Sequence, residues 1–118
     1  MLQHPSPVRI RIRSASGECF AMGPGKADLL AAIQETGSIA AAGRQMGMSY
    51  QKTRHLVDEM NRSFVSPLVE GFKGGVQGGG TSLTDLGREV LERFRQMQLR
   101  AEKAVGKDLE AFRELLAP

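Results

Sequence analysis

Gly37-Ser38-Ile39-Ala40-Ala41-Ala42-Gly43-Arg44-Gln45-Met46-Gly47-Met48-Ser49-Tyr50-Gln51-Lys52-Thr53-Arg54-His55-Leu56-Val57-Asp58-Glu59-Met60-Asn61 is the stretch on which the fold turns. It holds two helix patterns separated by a turn too short for the helices to lie parallel. Ser38 has the side chain of an N-cap and is followed by small, good helix formers. Gly47 supplies the left-handed residue that ends this first helix, and Met48 follows as an apolar plug. Ser49 is a second N-cap, opening a helix whose Thr53, Leu56, Val57, Met60 and Phe64 share one side at helical spacing. The opposite face carries Tyr50, Gln51, Lys52, Arg54 and His55 near its N-terminal end. Gly43, one turn before Gly47, meets the need for a small residue where two such helices cross, at a cost of about 1 kcal/mol in helix propensity. The pattern is a helix-turn-helix.

The charge of the chain supports this reading. Its 118 residues carry a formal charge of +3, only mildly basic. From Thr84 onward, however, seven basic residues balance seven acidic ones, so the whole excess lies before that point. Between Ser38 and His55 stand Arg44, Lys52 and Arg54 and no acid. A locally basic helix-turn-helix is suited to double-stranded DNA, with Ser38, Arg44, Ser49, Tyr50, Gln51, Lys52, Arg54 and His55 as the facing residues.

Working outward to the N-terminus, Val8-Arg9-Ile10-Arg11-Ile12-Arg13 alternates strictly, the signature of a strand with one buried face. Val8, Ile10 and Ile12 are expected to point to the core. The outward row Arg9, Arg11 and Arg13 is read first as charge that deters edge-to-edge pairing, and only second as a phosphate contact. Residues 14–23 read as a turn and a short return through Phe20 and Met22. Pro24 then opens a helix with Leu29, Leu30 and Ile33 on one face and Gly37 as terminator.

Downstream, Ser66-Pro67 blocks continuation of the second motif helix, and Leu68 to Phe72 reads as a strand. A glycine-rich tip, Lys73-Gly74-Gly75-Val76-Gln77-Gly78-Gly79-Gly80, precedes a returning strand, Thr81 to Leu83. Two short strands with such a tip after a helix-turn-helix describe a wing, with Lys73 and Gln77 placed to meet phosphate. Residues 74–81 also read G-x-x-x-x-G-G-T, but the lysine of a phosphate-binding loop is absent, and nucleotide hydrolysis is rejected.

Thr84 caps a last helix, with Asp85 favourable at its positive end. Leu86, Val90, Phe94, Met97, Ala101, Val105, Leu109 and Phe112 recur along it every three or four residues, and Leu116 extends the stripe. A helix this long has more apolar surface than a small domain covers, so a second copy of the same helix is expected against its outer half. Gly106 weakens the middle and is a candidate break.

The totals exclude other classes. Aromatic residues make up 5% of the chain, too few for a base-stacking platform for single strands. Leu29 to Ile33 is the longest apolar run, too short to cross a membrane, and the N-terminus lacks the regions of a signal peptide, so a cytoplasmic location is expected. Cys19 has no partner for an internal disulfide, and with His4 and His55 it makes no metal spacing. No nucleophile with a neighbouring base is suggested, so neither catalysis nor a cofactor is expected. The expected fold class is mainly α with small β (α+β): a winged-helix DNA-binding domain over residues 1–83 and a C-terminal dimerisation helix over residues 84–118.

Gly37-Ser38-Ile39 with Ala41-Ala42, Gly47-Met48-Ser49-Tyr50, Asp58-Glu59-Met60-Asn61, Pro67-Leu68-Val69-Glu70, the glycine-rich tip, and Leu83-Thr84 with Gly87 together resemble the N-terminal DNA-binding domain of the molybdate-responsive regulators of the ModE type, themselves similar to LysR-type winged helices. The resemblance spans residues 8–105. It implies a winged-helix homodimer whose second motif helix enters the major groove of a pseudo-palindromic operator, with Ser49, Tyr50 and Gln51 at the groove-facing end. It further implies a link to molybdenum or metal homeostasis. The sequence departs from the family in two places: Arg54 stands where an aromatic is frequent, and Val76-Gln77 where a Lys-Gly pair is. The oxyanion-binding domains through which such regulators sense molybdate lie C-terminal to this unit, and none is expected here; a separate effector-sensing partner is one candidate for that role. The rival expectation is an interaction protein that pairs through its long helix with a full-length regulator and has little DNA affinity of its own.

Overall fold

The computed structural model describes residues 6–72 and 80–118. Its elements are β1 (Ile12–Arg13), β2 (Phe20–Met22), α1 (Pro24–Thr36), α2 (Ile39–Gln45), α3 (Tyr50–Ser63), β3 (Val69–Phe72), β4 (Gly80–Leu83) and α4 (Asp85–Arg113). The architecture is a helix-turn-helix with an antiparallel β3–β4 wing and a long terminal helix.

Three helices supply most of the core. Pro24 sits in the first turn of α1, where its missing N–H costs nothing, and Gly37 closes the helix at φ 70° while donating to Ile33 O. Leu29, Leu30 and Ile33 are fully buried, facing Val57 and Met60 of α3 and Leu68 at the foot of the wing. Ser38 caps α2 by accepting from Ala41 N, and Ser49 caps α3 by accepting from Lys52 N. Between them Gly47, at φ 71°, turns the chain, and Met48 packs half-buried against the core. The crossing of α2 on α3 is set at Gly43: a Cβ there would lie 2.3 Å from Thr53 Oγ1. Thr53 itself is fully buried, its hydroxyl donating to Ser49 O at 2.7 Å.

The wing is pinned at its root rather than at its tip. Leu68 N–H and Val69 N–H both donate to Asn61 Oδ1, at 2.9 and 3.1 Å, and Asn61 Nδ2 donates to Val69 O at 3.1 Å. Thr84 closes the other side: its N–H donates to Leu68 O, its hydroxyl donates to Pro67 O, and the same hydroxyl accepts from Gly87 N. Thr81 N–H donates to Gly37 O at 2.9 Å, which ties β4 to the start of the helix-turn-helix.

One expectation is corrected and one open point is decided. The alternating segment forms a strand only at Ile12–Arg13; Val8 and Ile10 are half-buried and Ile12 is 36% exposed. Its partner β2 is three residues long and the register breaks between Ile12 and Arg13. Upstream, Gln98 of α4 takes over the backbone, accepting from Ile10 N–H at 2.9 Å and donating to Val8 O at 2.5 Å. The guanidinium groups of Arg11 and Arg13 lie over the Phe20 ring, 5.3 and 4.9 Å from its centre. Second, α4 does not break at Gly106 but runs unbroken for 29 residues. One glycine costs about 1 kcal/mol in a helix, too little to interrupt one that is capped at Thr84 and anchored in the core by its first turns.

Candidate nucleic-acid interface

α3 divides cleanly into a packed side and a wet side. Thr53, Val57 and Met60 face the core, while Tyr50, Gln51, Lys52, Arg54 and His55 are all exposed. The wet side is organised in two columns of residues one turn apart. Tyr50, Arg54 and Asp58 form the first, in which Arg54 Nε lies 3.5 Å from Asp58 Oδ1. Gln51, His55 and Glu59 form the second, in which His55 Nε2 lies 3.8 Å from Glu59 Oε2. Lys52 stands beside them and, among the described residues, joins no ion pair; the same is true of Arg44, exposed at the end of α2.

The second column is anchored to the body of the domain. Lys26 of α1 reaches across to Glu59 Oε1 at 2.6 Å and also donates to Phe20 O. The hydrogen bond from the Lys26 ammonium holds the Glu59 carboxyl below the usual 4.5, against the opposing effect of burial. His55 and Arg62 reinforce the shift through their charge.

Of the residues singled out in the sequence, Ser49, Tyr50, Gln51, Lys52, Arg54 and His55 are brought together on one end of α3. Arg44 comes from the preceding helix. Ser38 is half-buried and its hydroxyl is occupied in capping α2, just as that of Ser49 is in capping α3. Lys73 and Gln77 lie outside the described residues. The acids one turn behind Arg54 and His55, Asp58 and Glu59, were visible in the sequence at i,i+4 spacing. Lys26 was not, because only the fold brings α1 beneath α3.

The apolar stripe of α4 divides by depth. Phe94 is buried in the chain's own core together with Leu91, and Leu86 and Val90 pack against it. Ala101, Val105 and Leu109 are half-buried, and Met97 and Phe112 are 43% and 56% exposed. The first three turns of α4 therefore complete the winged-helix core, and its outer half carries apolar side chains into solvent. Among the described residues no helix is long and apolar enough to cross a membrane.

No protein-family model matches the chain. In sequence it is 35% identical over 99 residues to the molybdenum transport protein ModE of Azotobacter vinelandii, an alignment covering 75% of this chain and 37% of that protein. It is 38% identical over 95 residues to the molybdenum-pterin-binding protein MopB of Rhodobacter capsulatus, covering 80% of this chain and 34% of that one. With the DNA-binding transcriptional dual regulator ModE of Escherichia coli K12 it shares 32% identity over 81 residues, 69% of this chain and 31% of the regulator. The chain thus spans about a third of the length of these relatives. Among solved structures, the CbnR_DBD–DNA complex matches with a TM-score of 0.56 and 21% identity, covering 74% of this chain and 94% of that one, which establishes a shared fold.

Proposed function

The chain is a winged-helix domain of the ModE type, and from that premise we propose that it is a transcriptional regulator that binds a pseudo-palindromic operator as a homodimer. The observation that carries this reading is the exposed N-terminal half of α3, whose polar and basic side chains face solvent while its other side is fixed to the core. An α-helix fits the major groove of B-DNA, and its first two turns are the part that reaches base edges. Gln51 suits adenine and Arg54 suits guanine, with Tyr50 and His55 flanking them. Lys52 and Arg44, unpaired among the described residues, hold phosphates; Lys73 and Gln77 join them by their place in the sequence of the wing.

The outer half of α4 supports the dimer. Met97 and Phe112 are exposed there and Leu116 just beyond its C-terminal end, and a second copy of the same helix covers them in an isologous contact. Two-fold symmetry then sets half-sites about one helical turn apart, or a multiple of it. A link to molybdenum homeostasis rests on the names of the relatives.

The same apolar surface also supports a second reading, in which α4 pairs with a longer regulator and the chain has little DNA affinity of its own. Light scattering and a DNA titration over a range of salt concentrations separate the two. A dimer whose affinity falls steeply with salt is expected. A monomer without salt-sensitive binding would favour the pairing role.

A further inference from the structure

Resting on the DNA-binding reading above, we propose that Asp58 is a positioning residue for base recognition, holding Arg54 from its Nε side so that the Nη edge is presented as a unit to a guanine. Guanine offers O6 and N7 side by side and takes two parallel N–H donors from an arginine fork. Arg54 Nε lies 3.5 Å from Asp58 Oδ1, and among the described residues neither group has another ion pair. Both side chains are about half exposed, 54% and 44%, which places the pair on the wet face of α3 and not in the core. With Asp58 on the Nε side of the guanidinium, the Nη edge is the one left to meet a base.

The order of the pair distinguishes this role from ordinary helix stabilisation. In an isolated helix the favourable order is acid before base, because the anion then lies toward the positive end. α4 follows that order twice, in Asp85 with Arg88 and Glu89 with Arg93. α3 reverses it twice, in Arg54 with Asp58 and His55 with Glu59. In each reversed pair the base occupies the turn nearer the N-terminal, DNA-facing end and the acid stands one turn behind. A carboxylate beside a polyanion weakens binding to every sequence alike, so Asp58 lowers general affinity, and what it supplies is a fixed direction for the arginine. Glu59 is less suited to the role, since Lys26 already holds its carboxylate at 2.6 Å.

The test is a selection from a randomised duplex pool by the full chain, followed by titration of wild type, Asp58→Asn, Arg54→Ala and the double variant. Each is measured on the selected duplex, on one with the guanine read by Arg54 replaced, and on a scrambled duplex. Arg54→Ala is expected to remove discrimination at one base pair. Asp58→Asn should reduce discrimination at that same pair by about tenfold, within the range a bidentate contact supplies, while binding to the scrambled duplex strengthens. In the Arg54→Ala background Asp58→Asn should change discrimination no further. Melting temperatures should stay level, because an exposed i,i+4 pair contributes little to stability. If Asp58→Asn keeps the base preference, or lowers it equally without Arg54, the positioning role is overturned and the DNA-reading role stands. A wild-type chain that selects no sequence overturns both.

Discussion

Replacing glycine by alanine at two helical positions of this chain should move stability in opposite directions. At Gly106, about two turns before the end of α4, an added Cβ meets nothing within 4 Å, so Gly106→Ala gains the ordinary helix propensity of about 1 kcal/mol. At Gly43 the same methyl would lie 2.3 Å from Thr53 Oγ1, 3.1 Å from Thr53 Cβ and 3.3 Å from Cγ2. Thr53 cannot swing aside, being fully buried with its hydroxyl bonded to Ser49 O at 2.7 Å. The helices must part, an overpacking cost of about 1–3 kcal/mol, which outweighs the propensity gain and leaves a net loss of up to about 2 kcal/mol. For a domain of this size that is a fall of several degrees in melting temperature. Thr53→Ala removes two of the three crowding atoms, Oγ1 and Cγ2, and leaves only the Cβ at 3.1 Å, so the double variant should be more stable than the sum of the two single losses, by on the order of 1 kcal/mol. Urea unfolding of the four proteins measures each quantity. A Gly43→Ala variant as stable as Gly106→Ala, or strict additivity with Thr53→Ala, would refute the claim that this contact sets the crossing of α2 on α3.

Gly87→Ala should destabilise more than Gly43→Ala, because its Cβ would meet backbone, 2.1 Å from Leu68 O; urea midpoints of the two variants rank them. Asn61→Leu leaves the Leu68 and Val69 N–H groups without their acceptor, and each group left buried without a partner costs about 1–3 kcal/mol. Hydrogen exchange at those two amides should rise more in this variant than at the α1 amides. Glu59 has a depressed folded-state pKa, so its contribution is present above the usual 4.5 and lost as pH falls through the lower folded value. Acid unfolding of Glu59→Gln should therefore be flatter than wild type over that window, and an identical acid limb would remove the Lys26 contact as its cause. Phe112→Glu places a charge on the exposed apolar end of α4; light scattering should report loss of the proposed dimer while circular dichroism keeps its helical signal.

The helix-turn-helix was legible because each of its boundaries is a local chemical event. Ser38, Gly47 and Ser49 cap and turn the chain wherever they stand, and the i, i+3, i+4 pattern of Thr53, Val57 and Met60 follows from the helix alone. The N-terminal strand was misread for the converse reason. Alternation in Val8 to Arg13 describes what a strand would bury, but whether one forms depends on a partner, and β2 offers three residues. The hydrogen bonds went instead to Gln98, about ninety positions away in sequence, a distance at which no pattern speaks. Whether α4 breaks at Gly106 was left open by the sequence, because helix propensity alone sets no tertiary anchor against the glycine. On the interface, exposure of Tyr50 to His55 could be read from periodicity, whereas the Lys26–Glu59 bond needed the packing of α1.

The residues that orient α3 and those that would read DNA occupy different sides of it, with consequences for how sequence preference changes. Thr53 fixes one end of the helix against Gly43, and Asn61 fixes the other against the root of the wing. Between these two points Val57 and Met60 face the core. None of the four is exposed, and none of Tyr50, Gln51, Arg54 or His55 is buried. A substitution among the latter group leaves the angle between helix and wing untouched, so on the proposed DNA-binding reading a change at Arg54 alters which base edge is met without altering how the domain sits in the groove. The exception is Glu59, which touches both sides at once: it lies behind His55 and is bonded to Lys26 beneath. Changing His55 should therefore be felt in the acid stability of the fold, whereas changing Arg54 should not.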